Sequence, residues 1–157
     1  MADEKKMKNA QNVYNTLCEM LDDKKLRYQK HPEDLVVTFT MRGDDLPMDF
    51  VINIDAEREL VRLLSALPVQ FGADKRMEGA IATSRANYRL IDGSFDYDYN
   101  TGRVLFRMTS SFADSLVSKD LMEYMVAVAC YTVDDYNDAL LLLAKGMMSI
   151  EDFFKKN

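Results

Sequence analysis

The sequence predicts an α+β fold, an antiparallel sheet with helices packed on it in the order α-β-β-β-α-β-β-α. Three observations carry this expectation. The hydrophobic period runs helical, alternating, helical, alternating and helical again, with no linker, repeat or low-complexity tract between the runs. Phe95, Tyr97 and Tyr99 alternate with Ser94, Asp96 and Asp98, and Asn100-Thr101-Gly102 turns the chain into a second alternating run, Val104, Phe106 and Met108, which spells a hairpin. Apolar residues then recur at helical spacing from Met122 to Leu143, far beyond the length of a strand. With helices and strands in separate runs, helices covering one face of an antiparallel sheet is the simplest arrangement.

Met7, Ala10, Tyr14, Leu17, Cys18 and Leu21 recur every three or four residues, so the first helix is expected over about residues 4 to 25. Leu26 to Lys30 lacks helical periodicity before Pro32 and reads as a short extra strand. Leu35, Val37, Phe39 and Met41 alternate with polar or β-branched neighbours. After the turn Arg42-Gly43-Asp44-Asp45, Met48, Phe50, Ile52 and Ile54 do the same, giving an antiparallel hairpin. Glu59 to Ala66 suits a helix or a strand buried on both faces. The short link from Asp55 to Arg58 and the stop at Pro68 favour a strand.

Asp74 is placed to cap a second helix whose inner side would be Met77, Ala80, Ile81, Ser84 and Tyr88, with Lys75, Arg76, Arg85 and Arg89 in solvent. Ser118 caps the long third helix, Gly146 stands where a left-handed C-cap is needed, and Ser149 opens a last short helix over Ile150 to Lys155. At 157 residues and 48% hydrophobic content, one domain over residues 1 to 157 is expected.

Composition excludes several functions. The longest apolar run, Ala139 to Ala144, is far short of a bilayer span, and the start Met1-Ala-Asp-Glu-Lys-Lys lacks a signal-peptide core, so a cytoplasmic protein away from membranes is expected. A net charge of −6 disfavours nucleic acid and favours a basic or amphipathic protein partner. Cys18 and Cys130 sit among apolar helix neighbours and read as buried thiols rather than a metal or disulfide framework.

No constellation supports catalysis or a cofactor. Asp96, Asp98 and Asn100 begin like a calcium loop, but Thr101 replaces the required Gly and Arg107 the bidentate Glu. His31 is the sole histidine, too few for a zinc site, and no GxSxG or activated cysteine marks a nucleophile. The pairs Asp22-Asp23, Asp44-Asp45 and Asp134-Asp135 read as solvated turns or helix faces, and no glycine-rich phosphate loop exists. Of the eleven methionines most fall in phase with core stripes. Met147 and Met148 break phase at a helix end and read as surface.

The stretch from Arg76 to Phe112 resembles the core of the YbjN domain proteins, described as bacterial sensory transduction regulators, within the type III secretion chaperone-like fold. The resemblance lies in a helix ending Asn87-Tyr88-Arg89-Leu90, the segment Gly93-Ser94-Phe95, and the hairpin through Gly102 to Arg103-Val104-Leu105-Phe106-Arg107. Tyr136 and Leu140, with Ser149-Ile150-Glu151-Asp152, look like the family's final pattern, so the likeness covers nearly the whole chain. The extra strand near residue 28 and the long polar first helix depart from it. The resemblance implies a non-enzymatic regulator or chaperone-like protein, often dimeric, with no active site to carry over. Secretion chaperones bind extended effector segments along surface hydrophobic patches.

The expected function is therefore a homodimer that binds a protein segment at a sheet edge or apolar groove, with Phe39, Met48, Phe50, Met125, Met147 and Met148 as candidate contacts. The alternative is a small-molecule sensor with a pocket between the last long helix and the sheet, using Tyr97, Tyr99, Arg107 and Tyr124.

Overall fold

The computed structural model describes all 157 residues. Helix α1 (Glu4–Asp23) precedes a short strand β1 (Gln29–His31) and the strands β2 (Val36–Arg42), β3 (Pro47–Asp55) and β4 (Leu60–Gln70). A 3-10 turn (Ala73–Lys75) leads into α2 (Arg76–Arg89), followed by β5 (Ser94–Asp98), β6 (Arg103–Ser111), α3 (Lys119–Ala144) and α4 (Ile150–Lys156). All pairings are antiparallel, in the order β1-β2-β3-β4-β6-β5. The extra strand exists, and Glu59 to Ala66 is a strand.

Strand β4 does not stop at Pro68. It runs on to Gln70, with its register against β6 slipping between Ala66 and Gln70. Proline lacks the ladder N–H, and a bulge is the place in a central strand that tolerates it.

The alternation read in the sequence resolves into two unlike faces. Val37, Phe39, Phe50, Ile52, Val61, Leu63, Phe106 and Met108 point under the helices into a core of 36 buried residues. Each such side chain contributes on the order of 1.5–3 kcal/mol by leaving water. The opposite face carries Thr38, Asp49, Arg62, Gln70, Arg103 and Arg107, and no helix covers it. Stacking of Phe39 on Phe50, directly paired across β2 and β3 at 5.3 Å between centroids, locks that register.

Helix α2 presents the opposite side from the one its hydrophobic residues suggest. Its buried residues are Gly79, Ala82, Thr83 and Ala86, whereas Met77, Ile81 and Tyr88 face outward. Small residues let the helix approach the sheet so closely that a Cβ on Gly79 would lie 2.5 Å from Tyr97 Oη and 2.8 Å from Phe71 Cδ2. Nor does Asp74 cap α2; it lies within the 3-10 turn that leads into the helix. Ser118 and Ser149 do cap α3 and α4, accepting from the N–H groups of Leu121 and Asp152. Gly146, at φ +71°, ends α3, and Lys25 takes the same left-handed position at φ 55° after α1.

Candidate binding surfaces

The two lateral edges of the sheet are treated differently. At β5 the edge is capped at Phe95. Asn87 on α2 accepts from the Phe95 N–H at 2.7 Å and donates its amide to the Phe95 carbonyl at 2.9 Å. The side-chain amide thereby makes the two bonds that a further strand would make. Tyr97 adds a hydroxyl bond to the Arg76 carbonyl at 2.8 Å, and the Arg76 guanidinium holds the carbonyls of Phe71, Tyr99 and Asn100, fixing the β5–β6 turn beside α2.

At the other side β1 covers only Val36 to Thr38, the last pair being Gln29 with Thr38. The Ile54 N–H donates to the Leu35 carbonyl, so main-chain groups at Leu35, Val37, Phe39 and Met41 point toward β3. Those of Thr40 and Arg42 consequently point outward, past the end of β1.

Beneath that edge lies a groove of about 420 Å³ between the end of α1, the outer side of α3 and the β2–β3 hairpin. Met20, Leu26, Met41, Met48, Cys130 and Tyr131 give it an apolar lining. A salt bridge between Lys24 and Glu123 at 2.5 Å joins α1 to α3 at one end, and Asp134 closes the other by accepting the Asp44 N–H at 2.9 Å. Burial, with the nearby charge of Asp134 adding to it, pushes the Cys130 thiol up to about 11, which keeps it protonated and unreactive at neutral pH. Burial likewise raises the pKa of Cys18.

A second exposed apolar surface runs along α2 and just past it, formed by Met77 (61% exposed), Ile81 (42%), Tyr88 (85%) and Ile91 (104%). Glu78 lies in the first turn of that helix and Arg89 in the last.

The candidate contacts fall differently from their sequence reading. Phe39, Met48, Phe50 and Met125 are in the core, each at most 6% exposed, because alternation marks the apolar face of a strand without saying what covers it. Only the wall of the groove brings Met48 near a surface. Met147 is exposed, and Met148 is half-buried against the core. The four polar residues of the sensor alternative do not converge on one pocket. Arg107 pairs with Asp96 at 2.9 Å on the uncovered face, Tyr97 bonds to Arg76, Tyr124 donates to Asp92 across the α2–β5 loop, and Tyr99 is exposed.

Several of the carboxylates singled out in the sequence have structural partners. Asp98 accepts from the Asn100 N–H and the Thr101 hydroxyl, bonds that lower its pKa, and Asp23 pairs with Lys119 at 2.9 Å. No group of three or more His, Cys, Asp or Glu side chains is arranged to hold a metal ion, and no helix is long and apolar enough to cross a membrane. The sequence reading missed Ile91, Tyr131 and the outer side of α2. The stripe of small residues at Gly79, Ala82, Thr83 and Ala86 was the available signal for the helix's true inner face.

The same architecture occurs in solved structures. YbjN of E. coli superposes with a TM-score of 0.59 at 13% identity, over 85% of this chain and 91% of that one. A chain of the ExsC–ExsE complex gives 0.54 at 21% identity, over 83% and 93%. A chain of the HopA1–SchA chaperone–effector complex gives 0.51 at 13%, over 80% and 93%. The fold is thus that of the type III secretion chaperones. Among proteins with curated descriptions none matches this chain. Residues 14–142 match the family model for YbjN, described as "putative bacterial sensory transduction regulator". With the match spanning most of its length, the chain belongs to the YbjN family.

Proposed function

We propose that this protein is a non-catalytic regulatory or chaperone-like protein of the cytoplasm that forms a homodimer and binds a segment of another protein. The observation that carries the reading is the outward stripe of α2, where Met77, Ile81 and Tyr88 stand in water on a helix whose inner face is made of small residues, with Ile91 exposed just past its end. Scattered apolar residues on a surface need no explanation, whereas a contiguous helical stripe does. In an antiparallel pairing of α2 with its copy, Ala80 and Ser84 give the close approach, Met77 meets Tyr88, and Glu78 comes beside the basic end of the other helix. The ExsC–ExsE and HopA1–SchA structures, both protein complexes on this fold, support a protein rather than a small molecule as ligand.

Affinity capture of the tagged protein from its own cells at low salt, followed by calorimetry with the purified candidate and its fragments, tests the binding role. Saturable binding that survives trimming the partner to a short segment is expected. Empty capture together with a metabolite that raises the melting temperature would overturn the reading in favour of a sensor.

A further inference from the structure

We propose that the open edge of β2 at Thr40 and Arg42 is the docking site for an extended, basic segment of another protein, which adds a short strand there and sets an apolar side chain into the groove beneath. The inference rests on the protein-binding reading above and names its site and the chemistry of its partner.

Three observations converge on this place. One edge of the sheet is capped at Phe95 by Asn87 and lies against α2, while the other is left unpaired for the outward main-chain groups of Thr40 and Arg42. Side chains of an added strand alternate between the two faces of the sheet, and concavities lie on both sides of this edge. On the helix side is the groove with Leu26, Met41, Cys130 and Tyr131, and on the uncovered face is one of about 540 Å³ bordered by Arg27, Thr38, Asp49 and Val51. The charge at the hairpin end is acidic. The fold brings Asp44-Asp45 of the turn against Asp134 of α3, through the bond from the Asp44 N–H to Asp134, and Lys24 is neutralised by Glu123. Arg42 is the cation left beside these three carboxylates, so a partner carrying Arg or Lys next to its apolar anchor matches the site, and an acidic segment is repelled.

The test pans a phage-displayed library of random twelve-residue peptides against the wild-type protein. Enriched peptides are then titrated into wild type, Thr40→Pro and Tyr131→Ala, with amide exchange followed by NMR. Thr40→Pro removes an N–H that no strand of the protein uses, and Tyr131 is 75% exposed, so both variants should keep the wild-type circular dichroism. Enrichment of peptides with apolar and basic residues, new protection at the Thr40 and Arg42 amides, and affinity at least about tenfold weaker in each variant are expected, the loss of one or two hydrogen bonds at Thr40 and of an apolar contact at Tyr131 each being of that size. Peptides that bind all three proteins equally would overturn the site while leaving the protein-binding role standing. A library from which nothing is enriched would overturn both. Protection of those amides in the unliganded protein that vanishes on dilution would assign the edge to a second copy and overturn the proposal.

Discussion

Replacing Asn87 tests how far the capped edge of β5 depends on one side chain. In Asn87→Ala the Phe95 N–H and C=O lose partners at 2.7 and 2.9 Å, and both lie under α2 where water enters with difficulty. An unsatisfied buried main-chain group costs about 1–3 kcal/mol. Both bonds are only part-buried, so each group is taken at about 1.5 kcal/mol, and the two together, less about 0.5 kcal/mol from alanine's better helix propensity, leave a net loss of about 2.5 kcal/mol. For a chain of this length that is a fall in melting temperature of roughly 5–10 °C. Asn87→Asp separates the two bonds. Its carboxylate still accepts from the Phe95 N–H but sets a second oxygen against the Phe95 carbonyl, which only the protonated acid can satisfy. The folded state should therefore raise the pKa of the introduced carboxyl above its unfolded value. Stability is then best below the unfolded pKa and is lost as pH rises through the folded one, the reverse of the usual paired carboxylate. Urea melts of the three proteins from acid to neutral pH, with exchange of the Phe95 amide by NMR, measure both effects. An Asn87→Ala loss below about 0.5 kcal/mol, or a deficit in Asn87→Asp that does not change with pH, would refute the reasoning.

Other substitutions bear on the same packing. Gly79→Ala gains about 1 kcal/mol of helix propensity, yet its methyl would clash with Tyr97 and Phe71, so a net loss of about 1–2 kcal/mol in urea melts is expected. Lys25→Gly should stabilise by about 1 kcal/mol, and Gly146→Ala should destabilise by about 1 kcal/mol, because both positions are left-handed C-caps; thermal melts of the pair test the symmetry. Cys130, with its thiol at about 11, should react with iodoacetamide at pH 8 about two orders of magnitude more slowly than a free cysteine, a ratio read by mass spectrometry on the Cys18→Ser background.

Most of the fold was legible because alternation and helical spacing report the period of an element directly. The hairpins at Asn100-Thr101-Gly102 and Arg42 to Asp45, the serine caps of α3 and α4 and the glycine after α3 all follow from local rules. Pro68 was read as a stop because a ladder needs an N–H, and only the two partner strands reveal that a bulge absorbs it. Helix α2 deceived for a different reason. Hydrophobic spacing locates a core face only when the neighbour leaves room for large side chains, and here Phe71 and Tyr97 fill that space. The binding surfaces were hidden because Asp44 and Asp134 lie 90 positions apart, and because the reach of β1 along β2 depends on where the chain leaves the ladder.

The central claim is tested most directly by multi-angle light scattering of the wild type and Ile81→Asp, Tyr88→Asp over a hundredfold range of concentration. Twice the chain mass of 18.0 kDa is expected for the wild type and 18.0 kDa for the folded variant. A wild-type protein that stays at 18.0 kDa at every concentration, or a variant that remains a dimer, would contradict the claim.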